Sequence, residues 1–311
     1  MTIQQFEYII ALDECRHFVK AAQKCFITQP TLSMMINKLE EELGLKIFDR
    51  TKHPVAPTKE GEELIKLAKA VILKTRYIKE YVAALKGELT GDIRIGIIPT
   101  LAPYLVPLFI KEFVRNCPGL NASIKELATP QIITGINNGD IDIGILATPV
   151  NEASLTEHPL FYEEFYAYAS LDEKLPKKKY LLPKEINIAH LWLLEEGHCF
   201  RNQVYNLCQL KKEHQSTLNY EAGSIETLIN LVDHSKGITL IPKLAEMNLK
   251  PSQKKFVREF ANPKPVREIS LVVKNNFIRI KIIEQLKDVI IKCLPSEMIN
   301  SKNKKITSID S

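Results

Sequence analysis

The sequence predicts an α/β protein in two parts: a small helical head with a long helix, then a larger α/β domain of two lobes. Three observations carry this expectation. Apolar residues recur at helical spacing over residues 1–58, a heptad-like run follows to about residue 90, and after Gly91 they gather into short β-branched runs separated by helical stretches. At 311 residues the chain has room for roughly two domains.

Composition narrows the class. Hydrophobic residues are 45% and charged residues 25%, which excludes a disordered or fibrous chain. No apolar run approaches the ~18 residues of a membrane helix, so no membrane partner is expected. The opening MTIQQFEYIIALDE is neither a secretory leader nor an Arg-rich transit peptide, and a cytoplasmic location is expected. The net charge of +5 is mild, and acids and bases balance over residues 1–60, so a nucleic-acid partner must be argued from motif. Six cysteines in such a chain do not form a structural disulfide framework; a pair that oxidises would be catalytic or redox-sensing.

In the head, Ile3, Phe6, Ile9, Ile10 and Leu12 mark a first helix and Phe18–Ala22 a second. Thr28 is the expected N-cap of a third, with Pro30 in its first turn. Leu32, Ile36, Leu39 and Leu43 form its apolar stripe and Gly44 its stop. Ile47-Phe48 and Val55-Ala56 bracket a polar turn that reads as a hairpin wing. From Thr58 to about Glu88 one long helix carries a seam of Leu64, Ala68, Val71, Thr75, Ile78, Val82 and Leu85, a pattern that calls for a partner helix from a second subunit.

Beyond Gly91, strands are expected at 92–98, 124–127, 140–146, 192–194, 237–241 and 269–273, in parallel-type sheets, with a final helix at 277–294. The domain boundaries follow: 1–58 winged head, 59–90 linker and dimerisation helix, 91–295 two-lobed domain, 296–311 a loose polar tail.

The second and third head helices and their turn form a helix-turn-helix pattern. Small polar side chains at the start of the third helix, Gln29, Thr31 and Ser33, can reach base edges and phosphates, while Lys38 and Arg50 can hold backbone phosphates. Helical hairpins imitate such patterns, but the full string AAQKCFITQPTLSMMINKLEEELGLKIFDR followed by PTKEG is more specific. It resembles the LysR-type transcriptional regulators through Ala21, Ala22, Gln29, Pro30, Leu32, Ser33, Leu39, Glu40, Leu43, Gly44, Phe48, Arg50, Thr58 and Gly61. The resemblance spans the chain and implies a winged helix-turn-helix, a dimerisation helix and an effector domain like periplasmic binding proteins. It implies a homodimeric or homotetrameric regulator that binds double-stranded promoter DNA through Thr28, Gln29, Pro30, Thr31, Ser33, Lys38 and Arg50, and that works with RNA polymerase.

In most such regulators the cleft between the lobes binds a small metabolite, and that remains the alternative, with the cysteines incidental. The segment LEEGHCFRNQ, with Cys208 nine residues after Cys199, is similar to a narrower group, the OxyR-type hydrogen-peroxide sensors. That similarity implies a peroxide-reactive Cys199 and a resolving Cys208; Ile98-Pro99-Thr100, Thr129 and GITLIP fit it too. Asn202 departs from it, standing where many members have Asp.

The residues point the same way. Gly197 breaks a strand and Cys199 opens the next helix, where backbone N–H groups favour a thiolate, with His198 and Arg201 as adjacent cation sources. Such an accessible thiolate is oxidised by peroxide to sulfenic acid. Thr100 and Thr129, at the tips of their elements, can hydrogen-bond the peroxide oxygens, and Arg267 can bring charge. If residues 199–208 are helical, the two sulfurs lie on opposite faces about 13 Å apart along the axis, so a disulfide requires the helix to unwind. Cys15, Cys25, Cys117 and Cys293 read as small hydrophobes. His198, Cys199, Cys208 and His214 match no usual zinc spacing, so no metal and no cofactor is expected. With no CxxC pair and a head that catalysis would not need, an enzyme is not expected.

Overall fold

The computed structural model describes residues 1–86, 89–173, 175–176, 178, 180–208, 222–299 and 304–307. The chain divides into two compact units, residues 1–86 and 87–311.

In the first unit, α1 (Ile3–Cys15), α2 (Phe18–Lys24) and α3 (Gln29–Leu43) enclose a core that includes Ile9, Leu12, Ala21, Leu32, Ile36 and Leu39. The predicted signals are in place. The Thr28 hydroxyl accepts from the Thr31 N–H at the start of α3, Pro30 sits in its first turn, and Gly44 ends it in the left-handed region at φ 68°. Two short strands, β1 (Phe48–Asp49) and β2 (Ala56–Pro57), pair antiparallel as the wing.

The helix α4 (Lys59–Leu85) has 27 residues. Its first turns belong to the head core, where Ile65 and Ala68 are buried. Along the remainder of the expected seam, Val71, Ile78, Val82 and Leu85 are exposed, an apolar row uncovered among the described residues.

The second unit opens with β3 (Gly91–Ile97), α5 (Ala102–Asn116), β4 (Leu120–Glu126), α6 (Thr129–Asn138) and β5 (Ile143–Thr148). It continues with β6 (Leu155–Ala169), β7 (Tyr180–Leu181), α7 (Cys199–Cys208), α8 (Ile225–His234), β8 (Ile238–Pro242) and α9 (Lys243–Met247). It closes with β9 (Val257–Phe260), β10 (Lys264–Lys274), α10 (Ile280–Lys292) and β11 (Lys304–Ile306). The strands run in the order β4-β3-β5-β10-β6-β9-β7, with β8 also on β6 and β11 also on β10.

This sheet is mixed, not simply parallel as the β-branched runs suggested. Strand β3 is parallel to β4 and β5, but β10 is antiparallel to both β5 and β6. The 15-residue β6 binds the two lobes together: its first part pairs with β10 and its last five residues pair with β8. Sequence reading did not propose β6, because Glu157, Glu163 and Glu164 interrupt its apolar pattern.

Two further expectations are revised. The segment 192–194 forms no strand; Leu194 within it and Leu191 just before it make isolated bridges to Ala222 and Ile238 respectively. The polar tail is not wholly loose, since β11 pairs parallel to β10 and Thr307 is buried.

Candidate functional site

The head presents α3 outward. Gln29, Pro30, Ser33, Asn37 and Lys38 line a shallow groove of about 710 Å³ on its exposed side. Thr28 and Thr31 are less free than expected: their hydroxyl oxygens lie 2.8 Å apart, so they secure the helix start. Arg50 departs furthest from expectation. Its guanidinium donates to Asn37 Oδ1 and to Ser33 Oγ (3.4 Å), lies 3.5 Å from Glu40 Oε2, and sits over the Phe18 ring. In this arrangement it braces the wing against α3. Its side chain is still one-third exposed.

The acceptor behind this brace is Glu40, which carried no proposed role. It is 2% exposed, and its Oε1 accepts from the backbone N–H groups of Ile47 (2.8 Å) and Phe48 (3.2 Å). A carboxylate on a helix is hidden from pattern reading when its donors come from the next element.

In the second unit, the sharp turn at Gly197 (φ 92°) leads into α7, which begins at Cys199 and ends at Cys208, the helical span on which the unwinding argument depends. Cys199, expected to be accessible, is only 5% exposed, and Cys208 is 7% exposed. Burial pushes the Cys208 thiol up to about 12, so at neutral pH it is a protonated, poor nucleophile. All six cysteines are free; Cys117 is buried as a small hydrophobe, whereas Cys15, Cys25 and Cys293 are only half-buried.

The flanking side chains are already engaged. His198 is buried, with Nε2 3.5 Å from Glu195 Oε1. Arg201 donates to the Leu194 carbonyl at 2.8 Å and lies over the Tyr205 ring. His214 of the conceivable zinc set lies outside the described residues, and among those residues no cluster of three metal-ligating side chains occurs.

What the fold does bring together is Thr100, Arg267 and the residue after Cys199. Arg267 on β10 is fully buried. It donates to Thr100 Oγ1 (2.9 Å) and the Thr100 carbonyl (3.3 Å), and its guanidinium lies 5.1 Å from the centre of the Phe200 ring. Its charge is matched by Glu163, its cross-strand partner on β6, at 2.6 Å. Glu163, equally buried, also accepts from the Leu244 N–H at 2.8 Å. Phe200 in turn stacks on Phe165 at 5.3 Å. Sequence reading found Thr100 and Arg267 but missed Glu163, 104 positions away from its arginine.

Thr129 is the first residue of α6, 8% exposed, and its hydroxyl has no hydrogen-bond partner among the described residues. A buried unpaired hydroxyl costs roughly 1–3 kcal/mol.

Comparison with known proteins places both units. A family model described as bacterial regulatory helix-turn-helix protein, lysR family, matches residues 3–62, and one for the LysR substrate binding domain matches residues 86–292. The chain is 34% identical over 276 residues, 88% of its length and 91% of the relative's, to a hydrogen peroxide-inducible genes activator of Haemophilus influenzae. It is 35% identical over 278 residues, 88% of its length and 90% of the relative's, to the DNA-binding transcriptional dual regulator OxyR of Escherichia coli. Among solved structures it is similar to a full-length OxyR variant from Pseudomonas aeruginosa, with a TM-score of 0.75, 33% identity, and coverage of 94% of this chain and 99% of the other. A hydrogen-peroxide-bound OxyR mutant from Corynebacterium glutamicum gives a TM-score of 0.61 at 28% identity, covering 94% and 92%.

Proposed function

The chain belongs to the LysR family of DNA-binding transcription regulators and, within it, to the OxyR-like activators responsive to hydrogen peroxide; from that footing we propose that it senses peroxide by oxidation of Cys199 and formation of a Cys199–Cys208 disulfide. The observation that supports this reading is the buried arrangement of Thr100, Arg267 and Glu163 against Phe200, the neighbour of Cys199 on a helix whose other end is Cys208.

The chemistry is a displacement on oxygen. The Cys199 thiolate attacks one peroxide oxygen, the O–O bond breaks, and hydroxide leaves as Cys199 becomes a sulfenic acid. Thr100 and Thr129 hydrogen-bond the peroxide, and the Arg267 guanidinium stabilises charge building on the departing oxygen. The Cys208 sulfur then attacks the sulfenic sulfur, forming the disulfide and releasing water. Because nine helical steps separate the two positions by about 13 Å along the axis, that second step requires α7 to unwind. The refolded segment shifts the interface between subunits and, through α4, the spacing of the DNA-binding heads.

The remaining parts follow. The exposed row from Val71 to Leu85 pairs with its copy in a homodimer, two of which form the tetramer. The regulator acts in the cytoplasm on promoter DNA together with RNA polymerase, and is not an enzyme. Treating the full-length protein with stoichiometric peroxide tests the reading by mass spectrometry. The expected product is a peptide cross-linked through Cys199 and Cys208, absent in Cys199→Ser, while Cys208→Ser stops at a sulfenic or over-oxidised Cys199. Oxidation of another cysteine while Cys199 remains a thiol would transfer preference to a metabolite-responsive regulator.

A further inference from the structure

Two of the large apolar side chains that the head exposes lie on α3 or in the turn that leads into it. Met34 lies on α3 and is 59% exposed, within the groove that also holds Gln29, Ser33 and Lys38. Phe26 precedes the N-cap Thr28 by two residues and is 96% exposed. Its backbone is left-handed at φ 56°, a conformation that costs a bulky residue roughly 1–3 kcal/mol and that glycine would adopt freely. Hydrogen bonds from the Phe26 N–H to the Gln23 carbonyl (3.1 Å) and from the Ile27 N–H to the Ala22 carbonyl (3.0 Å) hold it there. The turn thus carries an aromatic ring in water at a position where folding alone favours glycine.

Polar side chains on this face suit hydrogen-bond readout, but Ser33 already accepts from Arg50, and Thr28 and Thr31 engage each other. Part of the sequence-reading capacity of α3 is therefore apolar. In the major groove the apolar feature that distinguishes one base from the rest is the thymine C5-methyl group. We propose that Met34 and Phe26 are specificity-determining residues that contact thymine methyl groups of the operator. This rests on α3 being the recognition helix of a DNA-binding regulator. Met34 points to a base within the segment read by Gln29 and Ser33, and Phe26 to a thymine at the margin of that segment.

The test uses a duplex that the full-length protein selects from a random-sequence pool, remade with uracil replacing each thymine in turn, which removes only the methyl group. Affinity of the wild type should fall roughly fourfold at each contacted thymine, the factor expected from exposing one methyl-sized group to water. Met34→Ala should bind the parent duplex more weakly and become indifferent to uracil at one such position. Phe26→Gly should do the same at another, with an unchanged or raised melting temperature because the left-handed turn is relieved. Wild-type affinity within twofold at every uracil position, with the duplex still bound specifically, overturns the proposal and leaves the DNA-binding reading intact. Variants that weaken binding yet keep the full wild-type uracil sensitivity overturn it as well. Failure to select any duplex defeats the DNA-binding reading and this proposal with it.

Discussion

Each unit of the chain anchors an arginine on a buried glutamate, and the two pairs differ in how much water reaches them. In the head, Arg50 stands 3.5 Å from Glu40 with a third of its side chain exposed, and the glutamate spends its best contacts on backbone N–H groups of the wing. In the regulatory unit, Arg267 meets Glu163 at 2.6 Å and neither is exposed at all. The first pair is an adjustable brace, since an arginine released from Glu40 can rehydrate. The second holds a fixed charge arrangement inside the core, where losing one partner strands the other. Water access, more than the identity of the pair, decides which arginine can be moved and which cannot.

The strongest way to break that contrast is Arg267→Ala. It leaves Glu163 buried beside a vacated site and should cost about 3–5 kcal/mol, read as a drop in the denaturant midpoint of the full-length protein. A loss below ~1 kcal/mol would show that water already reaches the pair. Glu40→Ala removes the acceptor of two backbone donors but leaves Arg50 near solvent, so a smaller loss of about 1–3 kcal/mol is expected in the same measurement. A cost equal to that of Arg267→Ala would erase the distinction between the units.

A further test sharpens the comparison through pH. The folded state holds the Cys208 thiol near 12, above its ordinary value, so the unfolded chain ionises first on raising pH. Stability from this group is complete below the ordinary thiol range near 9 and is lost between there and about 12, at up to roughly 1.4 kcal/mol per pH unit. Unfolding followed between pH 8 and 10.5 should be less steep in Cys208→Ala than in the wild type. Equal slopes would mean that α7 opens readily at its C-terminal end.

Much of this organisation is legible in local sequence. Thr28, Pro30 and Gly44 delimit α3 because caps and stops act within a few residues. Gly197 before Cys199 announces the start of α7 for the same reason. Glu40 and Glu163 escape because their meaning comes from donors elsewhere: the Ile47 N–H for one, and Arg267 for the other. The same cause hid β6, whose Glu163 reads as an interruption of a strand yet faces the core with its arginine. Arg50 is visible in the sequence, but its direction is set by Asn37 and Glu40 on α3, a contact that composition does not reveal.

The buried Cys208 also bears on time. With burial pushing its thiol up to about 12, Cys208 stays protonated at pH 7 while α7 remains intact. On the proposed route, closing the disulfide therefore waits for the helix to open, and the interval after the first oxidation is governed by a folding motion and not by sulfur reactivity. A subunit oxidised at Cys199 then forms its disulfide only if α7 opens before a reductant reaches the sulfenic acid. The local stability of α7 would thus set which fraction of oxidised subunits commits.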